Sequence, residues 1–245
     1  MSIFDDLAAE QDRLEKILAG LDEAQWGTAS AAAGWTVADV VLHLAQSDEA
    51  AAATATHGTL RGGLDAVAGN TTDERAANAV ENERAAPTEV FARWQRARAA
   101  AMAAMRAADP DRPVQWMVGT VKPATLATTR LAEAWTHGLD IAWPLGADFP
   151  DTGRLRHIAW LAHRTLPYAL SLTGAPTVAV RCELTAPDGV EVWRFGPQDA
   201  ESAITGAAGE FCRVAAQRLD PARSGLAASG PHGATALRLV RTYAA

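Results

Sequence analysis

The constraint that most narrows the fold of this chain is helical periodicity, repeated four times across its first 150 residues. Leu7, Leu14, Ile17, Leu18 and Leu21 recur at helical spacings with charged residues between them, so about Ile3 to Leu21 reads as an amphipathic helix. A small-residue loop then leads into Gly34-Trp35-Thr36-Val37-Ala38-Asp39. Thr36 can cap a helix there and Asp39 can answer it three residues later, which predicts a second helix through Val40, Val41 and Leu44 to about Ala53. Pro87-Thr88-Glu89 opens an Ala-rich helix that Asp109-Pro110-Asp111 stops, and a fourth runs from about Ala124 to Trp143, ending at Pro144 and Gly146. Between the second and third lies a long excursion, Thr54 to Ala86, with Gly58, Gly62, Gly63 and Gly69 and room for one short helix. Pro113 to Pro123 reads as irregular.

After residue 150 the texture changes. A fifth helix, about Gly153 to Leu172, precedes an alternating strand from Thr177 to Leu184, a Pro187-Asp188-Gly189 turn and a return strand from Val190 to Phe195. A segment from Ala200 to Ile204, a helix from about Gly206 to Leu219 and an apolar stretch near Leu237 to Val240 complete the chain. The expected class is α+β: a four-helix bundle over residues 1–150 and a small α+β domain over 151–245.

Composition excludes several functions. Twenty-two basic against 29 acidic residues leave a net charge of −7, which argues against wrapping nucleic acid. No apolar run approaches the ~18 residues of a membrane helix, and Asp5 and Asp6 stand where a signal peptide carries base. A cytoplasmic protein is expected. Cys182 and Cys212 read as small core residues, too few for a disulfide framework.

The segment that carries chemistry is Arg130-Leu131-Ala132-Glu133-Ala134-Trp135-Thr136-His137-Gly138-Leu139-Asp140. At about 100° per residue, Glu133 and His137 lie roughly 40° apart, and Asp140 returns to within about 20° of Glu133. A carboxylate, an imidazole and a second carboxylate thus follow one another along one face. A solvated i,i+4 pair would look the same, so a third donor is needed. His43, set among Val40, Val41, Leu42 and Leu44, supplies the candidate. A lone histidine on an apolar face is usually a satisfied core residue. Paired with Glu133 and His137 from another helix, it completes a set of two imidazoles and one carboxylate, which leaves positions on a divalent ion open for substrate. His157 and His163 are six residues apart and cannot share an ion from one helix. His57 and His232 read as surface, and Arg93, Arg96 and Arg98 as a solvated face.

Gly34-Trp35-Thr36-Val37-Ala38-Asp39-Val40-Val41-Leu42-His43-Leu44 resembles the "GW-V-D-HL" element of the DinB-like superfamily, and Glu133 to Asp140 resembles its "E-x3-H-x2-D" helix. Within that superfamily the chain most resembles the mycothiol-dependent maleylpyruvate isomerase family of actinobacteria, including the sterol-carrier-like C-terminal domain around Leu184 to Gly189. The resemblance implies a DinB-like bundle in which His43, Glu133 and His137 bind a divalent ion, Zn2+ first, with Asp140 beside it as an orienting or acid–base residue. It also implies mycothiol as cosubstrate, and an arginine, Arg84 or Arg130, for an acidic substrate. Trp116 and Lys122 are weaker pocket candidates. The implied chemistry is a thiol addition to an electron-poor double bond, ending in cis–trans isomerisation or in S-transfer. A metal-dependent hydrolase with Asp140 as base, and a non-catalytic ligand-binding protein, are the alternatives. The expected partners are a small molecule and a low-molecular-weight thiol, with no nucleic acid and no membrane, and the protein a monomer or homodimer.

Overall fold

A computed structural model of the chain describes residues 2–59, 67–117 and 119–242. Gly62 and Gly63 of the long excursion lie outside the described residues. The chain divides into two compact units, with the boundary between Phe149 and Pro150, and its class is α+β.

The first unit is built on four long helices: α1 (Ile3–Leu18), α3 (Val37–His57), α5 (Pro87–Ala107) and α6 (Pro123–Leu145). Helix α3 packs on α5 and α6, and α1 packs on α6 and α5. Leu14, Leu18, Val40, Val41, Leu44, Trp94 and Ile141 join in one buried cluster, the apolar stripes that the periodicity marks. Both Ser2–Asp5 and Thr36–Asp39 form reciprocal capping boxes, on α1 and α3.

Three local features depart from the sequence reading, and a fourth, the short helix it left room for, is present. Helix α3 runs one turn further than expected, to a left-handed Gly58 at φ +78°. A one-turn helix α2 (Glu23–Trp26) stands where a loop was expected, because Asp22 and Gln25 cap each other and Trp26 is buried. The excursion holds α4 (Thr72–Asn82), pinned to α3 where Gln46 donates to the Ala79 carbonyl at 2.9 Å and to Glu83 at 3.0 Å. The stretch expected to be irregular is a hairpin of β1 (Val114–Trp116) and β2 (Gly119–Val121), with Trp116 opposite Gly119. Strands of three residues are too short to show alternation.

The second unit carries α7 (Leu155–Ser171), β3 (Val180–Thr185), β4 (Val192–Phe195), β5 (Ser202–Ala207), α8 (Ala208–Ala215), β6 (Ala227–Ser229) and α9 (Gly233–Leu239). Its sheet has the order β4-β3-β5-β6, with β3 and β5 parallel and the outer pairs antiparallel. Strand β5 extends two residues into the helix expected from Gly206, and α8 ends at Ala215 rather than Leu219. Strand β6 is exposed throughout and so has no hydrophobic pattern to betray it.

Candidate metal centre

Helices α3 and α6 bring three donors together. His43 Nε2 lies 3.4 Å from Glu133 Oε2, and His137 Nε2 lies 3.6 Å from the same oxygen. One ligating atom from each residue falls within 4.8 Å of the others, the one such His/Cys/Asp/Glu group found among the described residues. A tetrahedral ion at 2.0–2.1 Å from each donor would space its ligands by about 3.3–3.4 Å. The donor types and separations therefore fit a zinc-like ion. Both imidazoles are nearly buried, whereas Glu133 keeps 28% of its side chain exposed, so the group opens to solvent on the Glu133 side.

The two imidazoles are held differently. His137 Nδ1 donates to Asp140 Oδ2 at 2.9 Å, and Asp140 has no exposed surface. That bond leaves Nε2 as the His137 nitrogen that could hold a metal, the carboxylate–histidine arrangement common behind metal ligands. His43 Nδ1, by contrast, is buried without a hydrogen-bond partner among the described residues. Its ring is held by packing, with Trp35 at 5.0 Å and His137 edge-on at 5.0 Å between centroids.

The loop carrying Trp35 is fastened to α6 by a consequence of Pro144. Proline has no N–H, so within α6 it cannot donate to the carbonyl of Asp140, four residues earlier. The Asp140 carbonyl instead accepts from Ala31 N at 2.8 Å. Gly34, at φ +81°, then turns the chain into Trp35, whose ring also lies 6.2 Å from that of His137. Asp140 thus orients His137 with its side chain and anchors the Trp35 loop with its backbone. Next to His137, Gly138 leaves room for Phe149: a Cβ there would sit 2.3 Å from Cζ of that ring. Arg13 covers the ring of Phe149, with its guanidinium carbon 3.4 Å from the centroid.

The electrostatics favour a cation among the donors. Burial pushes the His43 imidazole down, towards the neutral form that coordinates. Burial would also lower His137, but the Asp140 and Glu133 carboxylates override it and lift that ring to about 9. Burial would raise Glu133, yet its hydrogen bonds to His137 and His43, with Arg130 nearby, hold it well below the usual carboxylate range. A proton on His137 is the positive charge this site retains by itself, and a divalent ion would take its place.

Each of the two candidate arginines has a carboxylate partner within the protein. Arg84, expected to be free for a ligand, donates to Asp39 from Nε at 2.8 Å and from Nη2 at 3.3 Å, with 54% of its side chain exposed. Arg130, expected to contact substrate or brace Glu133, is buried against Asp48 at 2.9 Å and Ser47 at 2.7 Å. Trp116 is buried 6.0 Å from the Arg130 guanidinium, and Lys122 pairs with Asp111 on the surface. Asp48, Ser47 and the role of Trp35 were missed by sequence reasoning. The i,i+4 spacing of His43 and Ser47 was the available signal for the first two.

The family described as Mycothiol maleylpyruvate isomerase N-terminal domain matches residues 7–142, more than half of the chain. The chain belongs to the mycothiol maleylpyruvate isomerase family. Two proteins of Mycobacterium tuberculosis, "Uncharacterized protein Rv0036c" of strain H37Rv and "Uncharacterized protein MT0041" of strain CDC 1551, are each 34% identical over 216 residues, 87% of this chain and 84% of theirs. In fold, the chain is similar to the crystal structure of the mycothiol-dependent maleylpyruvate isomerase and to that of a point mutant of it. Each has a TM-score of 0.63 at 18% identity and covers 94% of this chain and 95% of its own. At that identity the likeness is one of fold, and it takes in the α+β unit that follows the family's N-terminal domain. No described helix is long and apolar enough to cross a membrane.

Proposed function

We propose that this member of the family is a metal-dependent enzyme that uses mycothiol for cis–trans isomerisation of, or S-transfer to, an electrophilic small molecule. The observation that carries the reading is the His43, Glu133 and His137 triangle with Asp140 behind it. We assign the ion as Zn2+, held by Nε2 of the two histidines and by the Glu133 carboxylate in the DinB-like helical unit. The sterol-carrier-like second unit is assigned no ligand. A divalent ion in this site would acidify a coordinated thiol, as it does water, and so supply a thiolate at neutral pH.

The chain's own groups do the rest. Asp140 has no exposed surface and touches His137, so it fixes a tautomer rather than relaying a proton to substrate. This geometry speaks against the hydrolase reading in which Asp140 is the base. Trp35 covers the two imidazoles with an apolar face, which excludes water beside them. Arg84 is the residue we assign to a substrate carboxylate, supported by its exposure and by its partner Asp39, one helical turn from His43. Arg130, enclosed by Asp48 and Ser47, has no free face for a substrate.

Elemental analysis, followed by assay of maleylpyruvate and related activated cis-alkenes with and without mycothiol, tests the proposal. One divalent ion per chain is expected, absent from both His43→Ala and His137→Ala, with turnover that requires the thiol. Full metal content in His43→Ala would remove that residue from the centre. Hydrolytic turnover without thiol would replace this reading with that of a metal-dependent hydrolase.

A further inference from the structure

Arg130 and Asp48 form an ion pair in the interior of the helical unit, with side chains only 3% and 1% exposed and Nε 2.9 Å from Oδ1. Arg130 Nη2 donates to Ser47 Oγ at 2.7 Å, and Gln11 Nε2 donates to Asp48 Oδ2 at 3.3 Å. The guanidinium also lies 6.0 Å from the ring centre of Trp116. Helices α1, α3 and α6 and strand β1 therefore converge on one charge pair.

A buried ion pair is a poor source of stability. The cost of taking both charges out of water commonly cancels their attraction, and a well-packed apolar pair of similar volume often serves as well. Its place in the fold suggests a different role. Ser47 is one turn beyond His43 on α3, and Arg130 is three residues before Glu133 on α6. The pairings 48 with 130 and 43 with 133 and 137 run in opposite directions along the two helices, as neighbouring rungs of one antiparallel seam. A guanidinium fork engages Asp48 and Ser47 together in a single registry of α3 on α6. A slip of one turn, about 5.4 Å, would break it and carry His43 away from its partners.

We propose that the Arg130–Asp48–Ser47 cluster is a positioning device, which sets the registry of α3 against α6 that brings His43 within ligating distance of Glu133 and His137. This rests on the metal-centre reading above, and the experiment separates the two.

The test compares the wild-type protein, Arg130→Lys and the double variant Arg130→Met/Asp48→Leu. Each is stripped of metal, melted, and titrated with Co2+ by its d–d absorption and with Zn2+ against a chromophoric chelator. The double variant removes both charges together, so its metal-free melting temperature should stay close to that of the wild type. Its Zn2+ affinity should fall about 10–100-fold, as when an outer-sphere partner is lost, and its Co2+ band should change in shape. Arg130→Lys keeps the charge but loses the fork, and should weaken Zn2+ binding with little change in melting. An unchanged affinity and spectrum in the double variant would overturn the positioning role. So would an affinity loss seen only where the metal-free protein also melts lower, because that is scaffolding. If the double variant does not fold, Arg130→Lys decides: weaker binding at an unchanged melting temperature supports the role, and unchanged binding overturns it. A wild-type protein that takes up neither ion overturns the metal-centre reading, and this inference with it.

Discussion

The two units of this chain bury different kinds of side chain. Among the described residues, the helical unit buries Glu10, Gln11, Asp39, His43, Gln46, Asp48, Arg130, His137 and Asp140, whereas the fully buried polar side chain of the second unit is Ser202 alone. The core of the second unit is made of residues such as Cys182, Leu184, Trp193, Ile204 and Phe211. Burial also pushes its Cys182 thiol up to about 12 and Cys212 higher still, which keeps both in the unreactive thiol form. Burying a polar or charged group costs free energy unless it is paired. A fold that concentrates such groups on α1, α3 and α6 and buries almost none in the second unit is organised around chemistry in one place and around packing in the other.

The sharpest way to break this contrast is at Asp140. Asp140→Asn should keep the fold but weaken Zn2+ binding by about 10–100-fold, because His137 loses the carboxylate that sets its tautomer. A chelator competition measures this directly, and undiminished affinity would reduce Asp140 to an anchor for the Ala31 N–H.

A matched pair of glycine substitutions comes next. In Gly138→Ala the new methyl meets the Phe149 ring at 2.3 Å, and overpacking of that kind typically costs about 1–3 kcal/mol. In Gly209→Ala of the second unit it meets Asp151 Oδ2 at 1.9 Å, where Asp151 holds Arg213 through two bonds of 2.8 Å. Both variants should melt lower, but metal affinity should fall only in Gly138→Ala, whose backbone adjoins His137. Equal loss of metal in the two would erase the distinction between the units.

The smallest effect is expected at Asp39. Burial would raise this carboxyl, but Arg84 and the Thr36 cap together hold it below its usual value. A lowered folded pKa means that the stabilisation is present above the ordinary carboxylate range and lost as pH falls through the lowered value. Asp39→Asn should therefore cost about 1 kcal/mol near neutrality, where the cap matters more than the half-exposed ion pair. The difference from wild type should shrink under acid in denaturant titrations. A constant difference across pH would mean that the cap, without its charge, does the work.

Much of this molecule follows from its order of residues. The four long helices, the Thr36–Asp39 cap and the shared face of Glu133, His137 and Asp140 are local, since each depends on spacings of three to seven residues within one helix. The strands of β1, β2 and β6 are too short or too exposed for such a pattern, and their pairing depends on segments elsewhere in the chain. The same limit applies at the centre. Spacing can place Glu133 and His137 on one face, but it cannot state that Pro144 frees the Asp140 carbonyl for Ala31, that Arg84 is taken up by Asp39, or that Arg130 faces Asp48 rather than a substrate. Those outcomes depend on which side chains from separate helices compete for one donor or one carboxylate. Only tertiary packing decides that competition, because a buried donor or charge takes the partner that the folded chain brings within reach.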